Sequence, residues 1–454
     1  MINISQIRYR ADHGPLLSDE SFDLDIVYLM LGRLVKKYDI RFDPDNPVPA
    51  DDALADRVYQ AALDFFVQCG AYYQNTRRAI RFGPEEVLDA VARYDGECRF
   101  GEGKEARIFR SRKPDSNTRP WQHVGSGIVA SSEEIASQIV FGNASIKEAD
   151  SMSVPALDKI DGVPITVGEP NEIPGAVRSI EIARRAINQA GREGLAIING
   201  IATAGSAHAT IEAAKKVLHP SDAIIVGTLA EMKTNAEMLR KVEYSLNSST
   251  NIVLASAPMV GGFGGGPEAV AILNTAYVFL GMLVYQCNYY LSLPLHIRNS
   301  CSTTRDVIWA MALSAQAISR NTNMPTLGLA YVVGGPWTES FFYESAAFIA
   351  ACIASGVSTQ TPHPAKAVLP DFVTPLEMKV NTELALACAG LTRKQANEIV
   401  KNILPRYEHD LDHAPIGKCY GDCFNIETAQ PQPEYLEFVN DIKKNLSALG
   451  IPVS

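Results

Sequence analysis

Polar and reactive side chains recur in this chain where short β-rich runs end. Asn199 closes the run Leu195–Asn199, Thr228 and Glu231 follow Asp222–Val226, and Ala255 with Ser256 lie near the end of Ile252–Ala257. His296 and Arg298 terminate Leu291–Ile297, Tyr331 falls late in Thr326–Val333, and Thr359 with Gln360 fall in Val357–Thr361. The set offers an acid, a base and an arginine, with Phe263, Tyr289, Tyr290, Tyr331 and Trp337 as aromatic faces. Such groups suit a small molecule, a cation included. There are no paired carboxylates, no Ser-His-Asp set and no clear metal triad, so these residues alone leave the reaction open. Each also has a structural reading. His296 serves equally as a strand cap, Glu231 as a first-turn acid favoured by the helix dipole, and Tyr331 as barrel packing with a satisfied hydroxyl.

The elements that must position these groups follow one rhythm, set by residues 251–305. Strand-like Asn251–Ala257 leads into the glycine run Gly261–Gly266, closed by Pro267. An apolar helix is expected from Glu268 to about Cys287, then the strand Leu291–Ile297, then a helix opened by Thr303-Thr304-Arg305. With Ser126–Ala130 and Val163–Val167, the chain has eight β-rich runs. They alternate with helical patterns at Pro174–Gly191, Glu231–Leu246, Thr303–Arg320 and Thr338–Ser355. That alternation is the signature of a (β/α)8 TIM barrel, an α/β fold whose chemistry sits at the strand C-termini. The rival is an open doubly wound sheet, but no Gly-x-Gly-x-x-Gly opens a helix after the first strand. The glycine run reads instead as a wide, flexible loop over a barrel mouth.

The expected layout is a barrel over residues 121–430, preceded by a helical and irregular region at 1–120 and followed by a helix within 431–454. Helical patterns at Phe22–Tyr38, Asp51–Cys69 and Pro84–Tyr94 mark the first region, with charged stretches such as Gly101–Lys113 between elements.

The 454 residues are 46% hydrophobic, enough for one large core with an accessory region. A net charge of -10 without a Lys/Arg block argues against a nucleic-acid partner. Residues 1–10 lack the apolar core of a signal peptide. The apolar stretch Ala269–Val284 contains Asn274 and reads as a buried helix, not a membrane span. Cys287, Cys352 and Cys388 read as small core residues. Cys419 and Cys423, with His409 and His413 upstream, form the only zinc candidate, against the alternative of free thiols in a reducing cytoplasm. No metal ligand is assigned.

Several stretches resemble the monomethylamine methyltransferases of methanogens. They are Ile173-Pro174-Gly175, Gly261-Gly262-Phe263-Gly264-Gly265, His296-Ile297-Arg298 with Ser302-Thr303-Thr304-Arg305, and Gly335-Pro336-Trp337-Thr338-Glu339. The tail Ala414-Pro415-Ile416-Gly417-Lys418 with Pro433-Glu434-Tyr435 matches too. The resemblance implies a barrel that moves a methyl group from a methylamine to the cobalt(I) of a separate corrinoid protein. On that pattern the corrinoid comes from the partner and no cofactor is held tightly.

The departures are as informative. The family carries pyrrolysine, an imine-bearing lysine derivative, at the end of a barrel strand. Here Asn199, or Ile198 if the gap lies elsewhere, occupies that place. A family glutamate falls on Ala255 and a family glutamine on Leu329, while an acid at Glu231 and a tyrosine at Tyr331 persist. Without an imine to capture and orient a neutral amine, the substrate must arrive activated. A quaternary ammonium or similar onium compound needs no proton to leave.

The expected site therefore has Glu231, Tyr331 and Asn199 at the reacting centre. Phe263, His296, Trp337, Leu329 and Ala255 line the substrate, and Arg298 and Arg305 meet the corrinoid protein. A cytoplasmic homo-oligomer, with neither nucleic acid nor membrane as partner, is expected. The alternatives are a catalytically divergent paralogue that binds a methylated small molecule, or a methyltransferase for another methyl donor.

Overall fold

The β-rich runs pair as their alternation with helices requires. Strands β1 (Gln122–Val124), β2 (Ser151–Met152), β3 (Ala196–Asn199), β4 (Ala223–Gly227), β5 (Asn251–Ser256), β6 (Tyr289–Ser292), β7 (Thr326–Gly328) and β8 (Ser358–Gln360) close into a barrel in chain order. Every neighbouring pair is parallel, and β8 returns to β1 with Gln360 opposite His123. Parallel pairing forces each connection to cross outside the sheet, which the helices do. The computed structural model describes residues 3–199 and 205–453.

Strands β3 to β8 fall on the expected runs, and the first two do not. The barrel opens at Gln122–Val124, ahead of the expected Ser126–Ala130. Of that run, Val129–Ala130 pairs outside the barrel with Ala156–Leu157. The expected Val163–Val167 supplies instead a hairpin strand, Val163–Pro164 against Lys159–Ile160. The expected Leu291–Ile297 is divided at Pro294, which lacks an N–H to donate. Its end, Leu295–His296, pairs with Met259–Val260 in a separate ladder.

Period-two alternation sends one set of side chains inward and the other to the helices. Ala196, Ile198, Ala223, Val253, Tyr289, Leu291 and Leu327 share the lumen cluster, while Ile224, Ile252, Leu254 and Tyr290 pack outward. The lumen is stoppered at its N-terminal end. The hairpin Glu97–Phe100 with Arg107–Arg110 inserts Phe100 and Phe109, whose rings lie 5.7 and 5.1 Å from Trp121. The charged stretch expected as a spacer thus contains a strand, with exposed Arg107 and Arg110 flanking buried Phe109.

The helix Pro267–Leu280, continued by a wider turn to Tyr285, is long and apolar enough to cross a membrane, yet 94% of that window is buried. It packs on Asp52–Cys69 from the N-terminal region and on Arg305–Asn321. Its buried Asn274 is bonded on every side. It donates to Ser292 Oγ (2.8 Å) and Ser314 Oγ (2.7 Å) and accepts from Tyr290 Oη (2.6 Å). Buried amides are tolerated when so satisfied. The expected N-terminal helices form as Leu29–Lys37, Asp52–Cys69 and Pro84–Arg93, and much of that region shares a core with the barrel helices. The tail helix is Pro433–Ala448.

Candidate active site at the barrel mouth

With the N-terminal end filled by aromatic rings, the C-terminal end is where strand ends and loops can form a site. The lumen there has two unlike halves. Along β3 to β7 it is apolar: Ile198, Ile225, Ala255, Leu291, Leu293 and Leu329 belong to one cluster, with Tyr331 packed against it. Along β8, β1 and β2 it is polar. His123 sits in register with Ser151 on one side and Gln360 on the other. Its Nδ1 meets Ser151 Oγ at 2.8 Å and its Nε2 meets Ser153 Oγ at 2.9 Å. Ser153 in turn donates to the Ile198 carbonyl at 3.0 Å.

His363 completes this half from the chain beyond β8. Its amide donates to the Ala330 carbonyl, and Val332 donates back to its own carbonyl, extending the β7–β8 pairing upward. The His363 ring meets the Tyr331 ring nearly edge-on, with centroids 4.9 Å apart. Its Nε2 lies 3.2 Å from Gln360 Nε2. Burial holds both imidazoles neutral, pushing His363 down to about 4 and His123 to about 3, the latter helped by its proximity to His363. Burial also raises the Tyr331 phenol. Among the described residues, the buried Gln360 Oε1 and His363 Nδ1 have no hydrogen-bond partner.

Tyr331, Leu329 and Ala255, picked out from the sequence, therefore share the lumen. Asn199 closes β3, and its side chain lies outside the described residues. Glu231 stands elsewhere. Its carboxyl accepts from Tyr277 Oη at 3.0 Å and from the Met259 amide at 3.4 Å. Tyr277 belongs to the helix outside β5, so the Glu231 carboxyl is held against the layer between strands and helix. Nor is it a first-turn helix acid, since that helix begins at Ala236. Burial raises its pKa to about 7 against the pull of Tyr277 and Met259.

Trp337 is likewise committed away from the lumen. Its ring stacks on Tyr435 at 4.8 Å, with Lys418 Nζ 3.5 Å from the ring centre. The matching stretches around Trp337, Lys418 and Tyr435 thus hold the tail to the barrel. His296 accepts from the Arg298 amide at 3.2 Å and faces Asp306 at 3.8 Å. Arg298 pairs with Asp412, and Arg305 forks onto Glu408 (2.7 and 3.1 Å) and reaches the Pro44 carbonyl. Both arginines are engaged within the chain.

Phe263 is 49% exposed at the tip of the glycine run. The run is tighter than expected: the Gly261 amide donates to Gly265 at 2.8 Å, and the Gly265 amide to Gly262 at 2.9 Å. Positive φ at Gly261 (85°) and Gly265 (81°) fits glycine there. Further exposed apolar side chains lie on loops at this end of the barrel: Val163 and Val167 after β2, Ile297 after β6, Val368 after β8. Ile416 joins them beside the loop after β7, against Gly335.

Among the described residues no group of three or more His, Cys, Asp and Glu is placed to hold a metal ion. Cys419 Sγ donates to Asp422, and Cys423 Sγ to the Lys418 carbonyl.

The sequence reading missed His123, Ser153 and His363. His123 sits on a strand that was misplaced, Ser153 directly follows the other such strand, and His363 sits in a loop without periodicity. The family model for monomethylamine methyltransferase MtmB matches residues 2–451. Monomethylamine methyltransferase MtmB2 of Methanosarcina acetivorans is 26% identical over 444 residues, covering 97% of this chain and 96% of that protein. MtmB of Methanosarcina mazei is equally similar, at 26% over the same coverage. The crystal structure of MtmB from Methanosarcina barkeri superposes with a TM-score of 0.94 at 25% identity, over 99% of this chain and 98% of that one. A crystal structure of a hydroxylamine complex of MtmB gives the same values.

Proposed function

We propose that this chain, which belongs to the monomethylamine methyltransferase family MtmB, moves a methyl group from a quaternary ammonium compound to a corrinoid protein, without pyrrolysine. The observation that carries the finer part is the lumen wall. Where the resemblance places a glutamate and a glutamine, Ala255 and Leu329 present hydrocarbon, and Glu231 is bonded outside the lumen. A methylammonium ion would need an acceptor for each of its N–H groups, and an unmet donor in such a wall is costly. A quaternary nitrogen has no N–H to satisfy. It needs only shape, dryness and an aromatic face.

This chain's part is then to hold, orient and dry the substrate. Tyr331 offers the ring, worth about 0.5–2 kcal/mol to a cation. The apolar half of the lumen excludes water and fixes which methyl group points outward. When the methyl carbon leaves, the C–N bond breaks with its electron pair on nitrogen. A neutral tertiary amine departs, and no residue has to supply a proton. The neutral His123 and His363 are consistent with a site that does no proton transfer.

The corrinoid, when docked, supplies cobalt(I) as the nucleophile for that carbon. The residues present fit a partner-borne corrinoid. The lumen is closed below by Phe100 and Phe109, so a nucleophile must enter from the C-terminal end. The exposed Phe263, Ile297, Val368 and Ile416 at that end give a partner apolar surface to cover.

Calorimetric titration of the purified protein tests the reading. Tetramethylammonium should bind saturably and methylammonium should give no heat. Tight binding of methylammonium with none of tetramethylammonium would overturn it.

A further inference from the structure

Gln360 and His363 have no task in that mechanism, yet they are 98% and 93% buried and face the lumen or its upper edge. Gln360 points inward because it lies in register with His123, whose ring is held by the lumen serines. His363 stands against Tyr331. Each keeps one polar atom without a partner among the described residues, Gln360 Oε1 and His363 Nδ1. A buried polar atom left so costs stability, and a native fold retains it where something else answers it.

The chemistry of the pair is narrow. The imidazole is neutral because it is buried. With Gln360 Nε2 donating to His363 Nε2, the proton of the ring sits on Nδ1. The atoms left open are then a donor, Nδ1–H, and an acceptor, Oε1, with the second N–H of the Gln360 amide beside them. Turning the amide over exchanges the roles and leaves the same pairing of an open donor with an open acceptor. A carboxylate would set an anion against an unpaired acceptor, and an alkyl group would answer neither. A hydroxyl answers both, since its oxygen accepts while its proton is donated.

We propose that Gln360 and His363 form a subsite that reads a hydroxyl group on the non-reacting part of the substrate. This rests on the quaternary-ammonium reading above and narrows it to hydroxyalkyl ammonium ions. The opposite, apolar half of the lumen would take the methyl groups.

The test compares 2-hydroxyethyl-trimethylammonium with n-propyl-trimethylammonium, which replaces the hydroxyl by a methyl of similar size. Calorimetry on the full chain should show the hydroxyl ion binding at least about ten-fold tighter, because a site built for a hydroxyl rejects the analogue lacking it. In Gln360→Leu and in His363→Phe that preference should vanish, with the propyl ion bound as well as before or better. Equal binding of the two ions by the native protein overturns the subsite and leaves the quaternary-ammonium reading standing. Binding of neither ion overturns that reading itself. A preference that survives in a folded Gln360→Leu variant places hydroxyl recognition elsewhere and sinks the proposal. The native-protein ratio decides even if one variant fails to fold.

Discussion

Replacing Glu231 by glutamine should change how stability depends on pH while barely touching ligand binding. The carboxyl is 2% exposed and bonded to Tyr277 and Met259, and burial lifts its pKa from 4.5 to about 7. Asp23 adds to the lift and Lys233 opposes it. The native state therefore keeps its proton over a range where the unfolded chain has lost it. Its contribution is full below the unfolded value and falls away as pH rises through the folded one. The span of about 2.5 pKa units corresponds to about 3 kcal/mol. Urea unfolding at pH 5 and pH 8 is the assay, because the difference between native and variant removes every other titrating group. The native protein should lose about 2.5 kcal/mol more than Glu231→Gln between those conditions, because pH 5 already lies above the unfolded value. Tetramethylammonium affinity should stay within a factor of about two, since the residue lies outside the lumen. Parallel pH profiles would refute the buried, protonated carboxyl. A large loss of affinity in a folded variant would return Glu231 to the substrate.

Tyr331→Leu should weaken tetramethylammonium binding about two- to thirty-fold, the range of a single cation–π contact. Tyr331→Phe should leave calorimetric affinity nearly unchanged, because the ring supplies the attraction. Asn274→Leu leaves Tyr290, Ser292 and Ser314 short of a buried partner, so denaturant unfolding should show a loss of at least about 3 kcal/mol. Arg298→Ala should shift unfolding by no more than about 1 kcal/mol, since the side chain is 73% exposed and its pair with Asp412 is screened.

Much of this architecture was legible because β3 to β8 are apolar runs separated by long helical patterns. The first two strands escaped for a physical reason. Gln122–Val124 and Ser151–Met152 spend their inward positions on His123 and Ser151, so the hydrophobic signal fails where the polar half of the lumen begins. The same substitution of polarity for packing hid part of the site. The apolar half was visible at Ala255, Leu329 and Tyr331. Glu231 and Trp337 show the complementary error. Their types suit a cation site, but loop direction decides where a side chain points, and Tyr277 and Tyr435 had claimed them. Arg298 and Arg305 were equally readable as docking groups or ion pairs, and Asp412 and Glu408 lie too far along the chain for sequence to link.

Methyl transfer itself is the most direct measurement. The purified protein is mixed with a cobalt(I) corrinoid protein and one methyl donor at a time, and absorbance reports methylation of the corrinoid. We expect quaternary ammonium ions to methylate it and methylammonium to leave it unchanged. Methylation by methylammonium, or by a neutral O-methyl or S-methyl compound while every quaternary ion stays inert, would contradict the proposed substrate class.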